Sequence, residues 1–314
     1  MGKRPFILSI IGVYLLGTSF FLLGCSVYPV NSEKTGEIKY LIGMSQANLG
    51  EPWRVVMNEE IKKEAARHEG AKVIFTDAGQ SSQKQISDVE KLLGLGIDLL
   101  IISPNEAEPL TPIIRKAYKK VPVIILDRDI ISDDYTMFIG ANNKLIGQKA
   151  GIYAAQLLGQ KGGNIVEISG LPGSLPAQER SEGFKNEIKS HPNIVIVKTL
   201  VADWLRDNAE NTFRTYLKNH HSDIDLVYAH NDPMALGAYR AAMAAEKKDI
   251  QFVGIDGLPG KNGGLELVEK SILQGTFTYP TGGREAVQYA LKILQNKAVP
   301  KRLTLESTKI TKEN

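Results

Sequence analysis

The sequence predicts an α/β fold made of two similar, doubly wound parallel-sheet domains. Three observations carry this prediction. Apolar strand patterns alternate with amphipathic helix patterns from about residue 38 onward. The alternation restarts after residue 140, as a second domain would require. Two strands also end alike, in VIILD at Asp127 and in FVGID at Asp256. At 314 residues the chain is long enough for two domains.

The first cycle is organised around residues 121–129, VPVIILDRD. Its near-continuous apolar run is typical of a parallel strand covered on both faces. Pro122 lies near the start of this strand, where a missing N–H costs least, and Pro52 opens a helix at a tolerated first-turn position. The predicted elements are strand 38–44, a helix from 52 that ends before Gly70, strand 73–75, helix 82–95, strand 99–102, helix 109–119, strand 121–126 and strand 137–139.

The second cycle repeats the pattern, and the crossing between the domains is expected at 140–142, without a flexible linker. We assign residues 37–140 and 280–314 to the N-terminal subdomain and 141–279 to the C-terminal one. The predicted elements are helix 145–158, strand 164–168, helix 177–189, strand 194–200, helix 208–217, strand 226–228, helix 233–245, strand 252–255, helix 264–271, strand 275–279, helix 285–294 and an edge strand at 303–307.

The first 24 residues predict export from the cytoplasm. Lys3 and Arg4 precede an apolar run that ends in LLGC at Cys25. This layout resembles the bacterial lipoprotein signal, which implies cleavage before Cys25 and lipid attachment to its sulfur, anchoring the protein on the outer face of the cell membrane. An uncleaved membrane anchor and a plain signal peptide are the alternatives. Residues 25–36 are polar and turn-rich, as a tether would be.

Composition excludes several classes of function. Lys and Arg total 38 against 35 Asp and Glu, a near-neutral balance that gives no support for nucleic-acid binding. Cys25 is the only cysteine, so no disulfide is possible within the chain. Neither a phosphate-binding loop nor a zinc-ligand cluster nor a nucleophile elbow is present. We therefore expect a protein that is not an enzyme and needs neither a cofactor nor a metal.

Polar and aromatic residues instead follow six of the predicted strands, where ligands bind in open α/β sheets. Five of these six groups have a specific alternative explanation. Trp53 could be core and Arg54 a solvated helix face, the charges after residue 126 could form a salt-bridged loop, and Arg180 could pair with Glu179 or Glu182. Trp204 could be a helix-start staple, and Asn231 or Asp232 a helix cap. The six groups are Gln46 with Glu51, Trp53 and Arg54; Asp127 with Arg128; Gln178 with Glu179 and Arg180; Asp203 with Trp204; His230 with Asn231 and Asp232; and Asp256 with Gly257.

Four motifs resemble the periplasmic sugar-binding proteins of the ribose/galactose type, the receptors of ABC sugar importers. They are VPVIILDRD at 121–129, QERSEGF at 178–184, YAHNDPMALGA at 228–238 and VGIDGLP at 253–259. The resemblance runs from Ile38 to about Ile310. The segments SQANLGEPWR at 45–54 and LTLESTKI at 303–310 look closest to the galactofuranose-binding branch.

The resemblance implies the type I periplasmic binding protein fold, with two domains joined by three crossing strands and a monosaccharide between them. By motif match, Asp127 and Arg128 would bind sugar hydroxyls from one domain, and Arg180, Asn231 and Asp256 from the other. Trp53 and Trp204 fall where the family places stacking aromatics, and Thr278 falls where ribose binders have a hinge residue. Arg54 matches the galactofuranose branch, and Glu51 would lie near the sugar. The charged Glu51 and Arg54 depart from the ribose pattern, so a pentose, a hexose and a furanose all remain open.

The resemblance thus implies an extracytoplasmic sugar receptor that closes around its ligand and delivers it to an ABC permease. The alternative is a sensory receptor that presents its closed form to a membrane histidine kinase or a chemoreceptor. A repressor of the same fold would need a DNA-binding helix-turn-helix before Ile38, where this chain has a signal segment instead.

Overall fold

The computed structural model describes residues 37–220 and 223–313. The predicted signal segment, Cys25 and the tether lie outside these residues. The elements are β1 (Tyr40–Gln46), α1 (Pro52–Ala65), β2 (Ala71–Asp77), α2 (Ser82–Gly94), β3 (Leu99–Ile102), α3 (Ala107–Tyr118), β4 (Val123–Leu126), β5 (Met137–Ala141), α4 (Asn143–Leu158), β6 (Gly163–Ser169), α5 (Leu175–Ile188), β7 (Ile194–Val201), α6 (Arg206–Asn219), β8 (Leu226–Ala229), α7 (Asp232–Ala244), β9 (Gln251–Val253), α8 (Gly264–Glu269), β10 (Gly275–Phe277), α9 (Gly283–Leu294), β11 (Arg302–Leu305) and β12 (Lys309–Thr311).

The strands form two sheets, which confirms the predicted α/β class. The first has the order β11-β5-β4-β3-β1-β2 and the second β12-β10-β9-β8-β6-β7. Neighbouring strands are parallel throughout, except that β12 runs antiparallel to β10. We call the first sheet with α1, α2, α3 and α9 the N-terminal lobe, and the second sheet with α4 to α8 the C-terminal lobe.

Burial explains why the central strands read as unbroken apolar runs. All residues of β3 and β4 are buried. Alternate residues of β3 enter different cores: Leu99 and Ile101 pack with α1 and α9, whereas Leu100 and Ile102 pack with α2 and α3. Both faces of the sheet are therefore covered, as expected for parallel strands.

The C-terminal lobe depends on one close helix contact. A Cβ atom at Gly147 of α4 would overlap the carbonyl oxygen of Arg180, and one at Gly183 of α5 would overlap that of Lys144. The helices α4 and α5 can approach this closely because neither glycine has a side chain. This contact sets the position of the α5 turn that carries Arg180.

Within the described residues the chain crosses between the lobes three times: after β5, between β10 and α9, and between β11 and β12. The edge strand predicted at 303–307 is present as β11, with exposed Arg302 and Thr304 alternating with half-buried leucines. One domain assignment needs correction. Residues 280–314 were assigned wholly to the N-terminal subdomain, but β12 belongs to the second sheet. There Ile310 of β12 pairs with Thr276 of β10, so β12 forms the edge of that sheet.

No helix within residues 37–220 and 223–313 combines the length and the apolar character needed to cross a lipid bilayer.

Candidate functional site

The carboxyl ends of the strands of both lobes face each other across one narrow cavity. Every residue predicted to bind sugar lines this cavity except Thr278, and all the lining side chains named in the prediction are more than nine-tenths buried. Its volume is about 20 Å³, roughly the space of one water molecule. A sugar ring needs more room than this, so the lobes must lie further apart with a sugar bound than in the described conformation. The lining residues are Glu51, Trp53, Arg54, Asp127, Arg128, Pro176, Arg180, Trp204, Asn231, Asp256 and Tyr279.

Arg54 is the centre of the N-terminal wall. It projects from the first turn of α1, which Pro52 opens, and it is 1% exposed. Its Nη1 donates to Gln46 Oε1 at 2.5 Å and to Ser103 Oγ at 2.9 Å, and its Nη2 donates to Asp127 Oδ2 at 3.1 Å. Gln46 ends β1, and Ser103 and Asp127 directly follow β3 and β4, so the guanidinium ties three strand ends together. Arg54 is therefore a buried, hydrogen-bonded group rather than a solvated one.

Glu51 joins the two arginines of this wall. Its Oε1 accepts from Asn48 Nδ2 at 2.7 Å, from Arg54 Nε at 3.3 Å and from Arg128 Nη2 at 3.5 Å. Arg128 also donates from Nη1 to the carbonyl of Asn105 at 2.9 Å. Burial lowers the pKa of Arg128 to about 10, and the positive charge of Arg54 acts in the same direction. The negative charges of Glu51 and Asp127 raise the pKa of Arg128 and oppose these two effects.

Asp127 connects the wall to the segment that crosses between the lobes. It adopts a left-handed backbone conformation, with φ 72°, directly after β4. Its Oδ1 accepts from the hydroxyl of Tyr279 at 2.8 Å, and that hydroxyl accepts from Asn143 Nδ2 at 3.2 Å. Burial raises the pKa of Tyr279, with the negative charge of Asp127 adding to the effect. The phenol therefore stays protonated and donates to Asp127.

Arg180 forms the facing C-terminal wall. Its Nε donates to Asn143 Oδ1 at 2.9 Å, and its Nη1 donates to the carbonyl of His230. Its guanidinium carbon lies 4.3 Å from the ring centroid of Tyr279 and 5.4 Å from that of Trp204, within cation–π range. It pairs with neither Glu179 nor Glu182; the latter binds Lys144.

Trp204 and Asn231 shape the same wall. Asn231 caps α7, its Oδ1 accepting from the Met234 N–H at 2.9 Å, and its Nδ2 donates to the Trp204 carbonyl at 3.1 Å. The amide thus combines the capping role with a place in the cavity lining. The indole of Trp204 packs against Gly170, where any Cβ would overlap its ring. It lies 5.3 Å from the guanidinium carbon of Arg128 in the opposite lobe.

A buried histidine supports this wall from beneath. His230 is fully buried; its Nδ1 accepts from the Gly170 N–H at 3.3 Å, which leaves Nε2 to donate to Glu167 Oε1 at 3.1 Å. Glu167 also accepts from Thr199 Oγ1 at 2.7 Å and pairs with Lys185 at 3.0 Å. Burial lowers the pKa of His230. A fully hydrogen-bonded polar network therefore fixes the loop that carries Asn231.

Asp256 differs from the other acids of the site. It follows β9 and has φ 134°, and its carboxyl has no hydrogen bond or ion pair among the residues that the structure describes. Burial raises its pKa well above the usual range, and the nearby charge of Asp232 raises it further. Asp232, by contrast, accepts from Thr276 Oγ1 at 2.7 Å and from the Gly257 N–H at 2.8 Å. Asp256 thus presents an unused polar group to the cavity.

The structure also places Trp53, Thr278 and Asp129. Trp53 lines the cavity, with its Nε1 donating to the Tyr279 carbonyl at 2.7 Å. Thr278 lies outside the lining, and its Oγ1 accepts from the Thr308 N–H at 2.8 Å, between two crossing segments. Asp129 is the third of the charges that follow residue 126. It pairs with Arg302 of β11 at 2.8 Å.

Sequence reasoning missed Tyr279 and Asn143. Tyr279 directly follows the residue that was chosen, and strand alternation from the buried Phe277 could have selected it. Asn143 lies one residue beyond the predicted crossing at 140–142 and before the helix predicted from 145, so it followed none of the six strands that were considered.

Contacts at the rim hold the lobes together. Gln80 Nε2 donates to the Asp203 carbonyl at 2.8 Å, and the Ala107 N–H at the start of α3 donates to the Gly173 carbonyl at 3.0 Å. The described conformation is thus a closed one, in which both lobes enclose the same polar cavity.

The arrangement suits a neutral, hydroxyl-rich ligand. Guanidinium groups offer donors, carboxyl groups offer acceptors, and two indole rings lie in the same lining. Within residues 37–220 and 223–313 no group of three or more His, Cys, Asp or Glu side chains could hold a metal ion.

Comparison with known proteins points to the same family as the four sequence motifs. Residues 42–298 match the model of the periplasmic binding protein domain. The chain is 32% identical to a ribose import binding protein of Bacillus subtilis, covering 94% of this chain and 96% of that protein. It is 32% identical to a galactofuranose-binding protein of Escherichia coli over 69% of this chain and 71% of that one. A solved fructose-binding periplasmic domain of a hybrid two-component system is 46% identical, with a TM-score of 0.84, covering 88% of this chain and 91% of that one.

These relatives are solute-binding proteins and not enzymes, and their family implies a location outside the cytoplasm. The predicted resemblance is confirmed. The chain belongs to the type I periplasmic sugar-binding proteins.

Proposed function

We propose that this protein is a lipid-anchored receptor that closes around one neutral monosaccharide and delivers it to an ABC importer. The observation that carries the proposal is Asp256, a buried carboxyl that has no hydrogen-bond partner among the described residues and that lines the same cavity as Arg54 and Arg128 of the opposite lobe. A sugar hydroxyl would give Asp256 the hydrogen bond that it lacks, at roughly 1.5–3 kcal/mol for a contact with a charged group.

The ligand would couple binding to closure. Asp127 and Arg128 belong to one lobe, Arg180, Asn231 and Asp256 to the other, and all line one cavity. A sugar that contacts both sets binds the closed state better than the open one and shifts the population towards it. The permease would then recognise the closed form. Thr278 would act as part of the hinge, through its bond to the Thr308 N–H.

Fructose, galactofuranose and ribose are the first candidate sugars, because they are the ligands named for the relatives. Thermal-shift measurements with these and other pentoses and hexoses, followed by calorimetric titration, test the proposal, since a ligand of the folded state raises the melting temperature. We expect one sugar to bind with a stoichiometry of one. Failure of every sugar to shift the melting temperature at millimolar concentration would contradict the proposal.

A sensory role is the second candidate, and one observation favours it. The 46%-identical structure is the periplasmic domain of a hybrid two-component system. Under this hypothesis the closed form would signal to a membrane histidine kinase. The genes beside this one distinguish the two: permease and ATPase genes favour import, whereas a sensor kinase gene favours signalling.

The lipid anchor is a separate proposal that rests on the LLGC sequence at Cys25. In cells that express the full chain, labelled fatty acid should be incorporated, and globomycin should block processing. Cys25→Ser should abolish the labelling. Unchanged labelling of that variant would refute the anchor.

A further inference from the structure

The central cavity has a larger neighbour. A groove of about 520 Å³ lies between the start of α1 and the loops that precede α6, α7 and α8. Trp204 and Asp256 line both the groove and the central cavity, so these side chains lie at the boundary between the two spaces. The groove has the volume usual for a small-molecule site, roughly 300–1,000 Å³.

The walls of the groove are mainly aliphatic. Pro52 and Val56 of α1 face Leu205, Leu236 and Leu258 of the C-terminal lobe. Polar residues also line it, namely Arg206, Asp207, Asn208, Lys261 and Asn262 as well as Asp232 and Asp256. The Trp204 Nε1 is buried and has no hydrogen-bond partner among the described residues, and the carboxyl of Asp256 also lacks one. A donor and an acceptor are therefore unused at the boundary between the groove and the central cavity.

The charged residues of the groove are mixed, with Arg206 and Lys261 against Asp207, Asp232 and Asp256, and this near balance favours a neutral occupant. At its mouth Arg206 is already paired with Asp207, its Nε donating to Oδ1 at 2.9 Å. The carboxyls of Asp232 and Asp256 would repel a phosphate or a carboxylate. A polyhydroxylated ring has apolar C–H faces for the aliphatic walls and hydroxyls for the polar groups.

Both lobes contribute to the groove. Gly50, Pro52 and Val56 come from the N-terminal lobe, and the remaining wall comes from the C-terminal lobe. An occupant would contact both, so its binding energy would favour the same closed state as the sugar in the central cavity.

We propose that the groove binds a second sugar ring joined through a glycosidic bond to the sugar in the central cavity, so that the protein accepts disaccharides. This inference rests on the proposed function, because the first ring must occupy the central cavity. The bridging oxygen would pass between Trp204 and Asp256.

Calorimetric titration of the intact protein with D-fructose, sucrose and the β-2,6-linked fructose disaccharide tests the inference. If the monosaccharide screen selects another sugar, that sugar and disaccharides that contain it are titrated instead. Val56→Trp fills the groove from α1, and Lys261→Trp fills it from an exposed position on the opposite wall. Val55→Trp is the matched control, since Val55 is 45% exposed and does not line the groove.

We expect at least one disaccharide to bind as tightly as the monosaccharide, within tenfold. Either groove variant should weaken disaccharide binding at least tenfold while monosaccharide affinity changes less than twofold, and Val55→Trp should change neither. Binding of the monosaccharide alone, or an equal loss for both ligands in the groove variants, would overturn the inference and leave the proposed function intact. Binding of no sugar of either size would overturn both.

Discussion

Replacement of Asp256 by alanine should weaken sugar binding and stabilise the sugar-free protein. For binding, the variant loses a hydrogen bond to a buried charged group, about 1.5–3 kcal/mol, which corresponds to roughly 10–150-fold in Kd. For stability, the variant removes a carboxyl that is buried, 6% exposed, and unpaired among the described residues. An ionised group in such surroundings loses its hydration without compensation.

The stability effect should depend on pH in a defined direction. The pKa of Asp256 is raised in the folded state by burial and by the charge of Asp232. The folded protein therefore holds this proton more tightly than the unfolded chain, and stability is lost as the pH rises from the unfolded value of about 3.9 towards the raised folded value. The melting temperature of Asp256→Ala should match that of the wild type near pH 4 and exceed it at pH 8.

Asp232→Ala provides the control, because this neighbouring carboxyl accepts hydrogen bonds from Thr276 and Gly257. Removing it leaves two buried donors unpaired, at about 1–3 kcal/mol each, so its melting temperature should fall. Differential scanning fluorimetry across pH and calorimetric titration give the two readouts. Wild-type sugar affinity in Asp256→Ala, or a loss of stability like that of Asp232→Ala, would refute the reasoning.

Three further predictions concern the fold and closure. Gly147→Ala should lose about 1–3 kcal/mol of unfolding free energy, because its Cβ would overlap α5, whereas Gly94→Ala, with open space around it, should not; equal chemical denaturation curves would contradict this. Gln80→Ala removes a hydrogen bond between the lobes and should weaken sugar binding about 2–10-fold, mainly through faster dissociation in stopped-flow traces, whereas unchanged dissociation would exclude a role in closure. Glu167 has a pKa of about 2. Burial raises this pKa, but hydrogen bonds from His230 and Thr199 lower it by more. Its stabilisation is present above the unfolded value of about 4.3 and lost as the pH falls towards 2. Glu167→Gln should therefore flatten the melting temperature across that interval, and a curve parallel to wild type would be evidence against it.

The fold was predictable because its signals are local. Buried strands such as 99–102 read as apolar runs, and Pro52 and Pro233 mark helix starts. The convergence of the six polar groups followed from one rule, that ligands bind at the carboxyl ends of parallel strands.

The parts that were missed depend on long-range geometry. Asp129 binds Arg302, 173 residues away, and nothing near either residue signals the pair. β12 pairs with β10 although its three residues are too short for a periodic signal. Tyr279 acts at the site because the crossing segment carries it between Asp127 and Asn143.

Calorimetric titration of one sugar into the wild type, Asp127→Ala and Asp256→Ala tests the central claim most directly, because these acids belong to opposite lobes. The account predicts one-to-one binding that either single change weakens at least tenfold while the variant stays folded. Binding that is unaffected by either change would contradict a site shared between the two lobes.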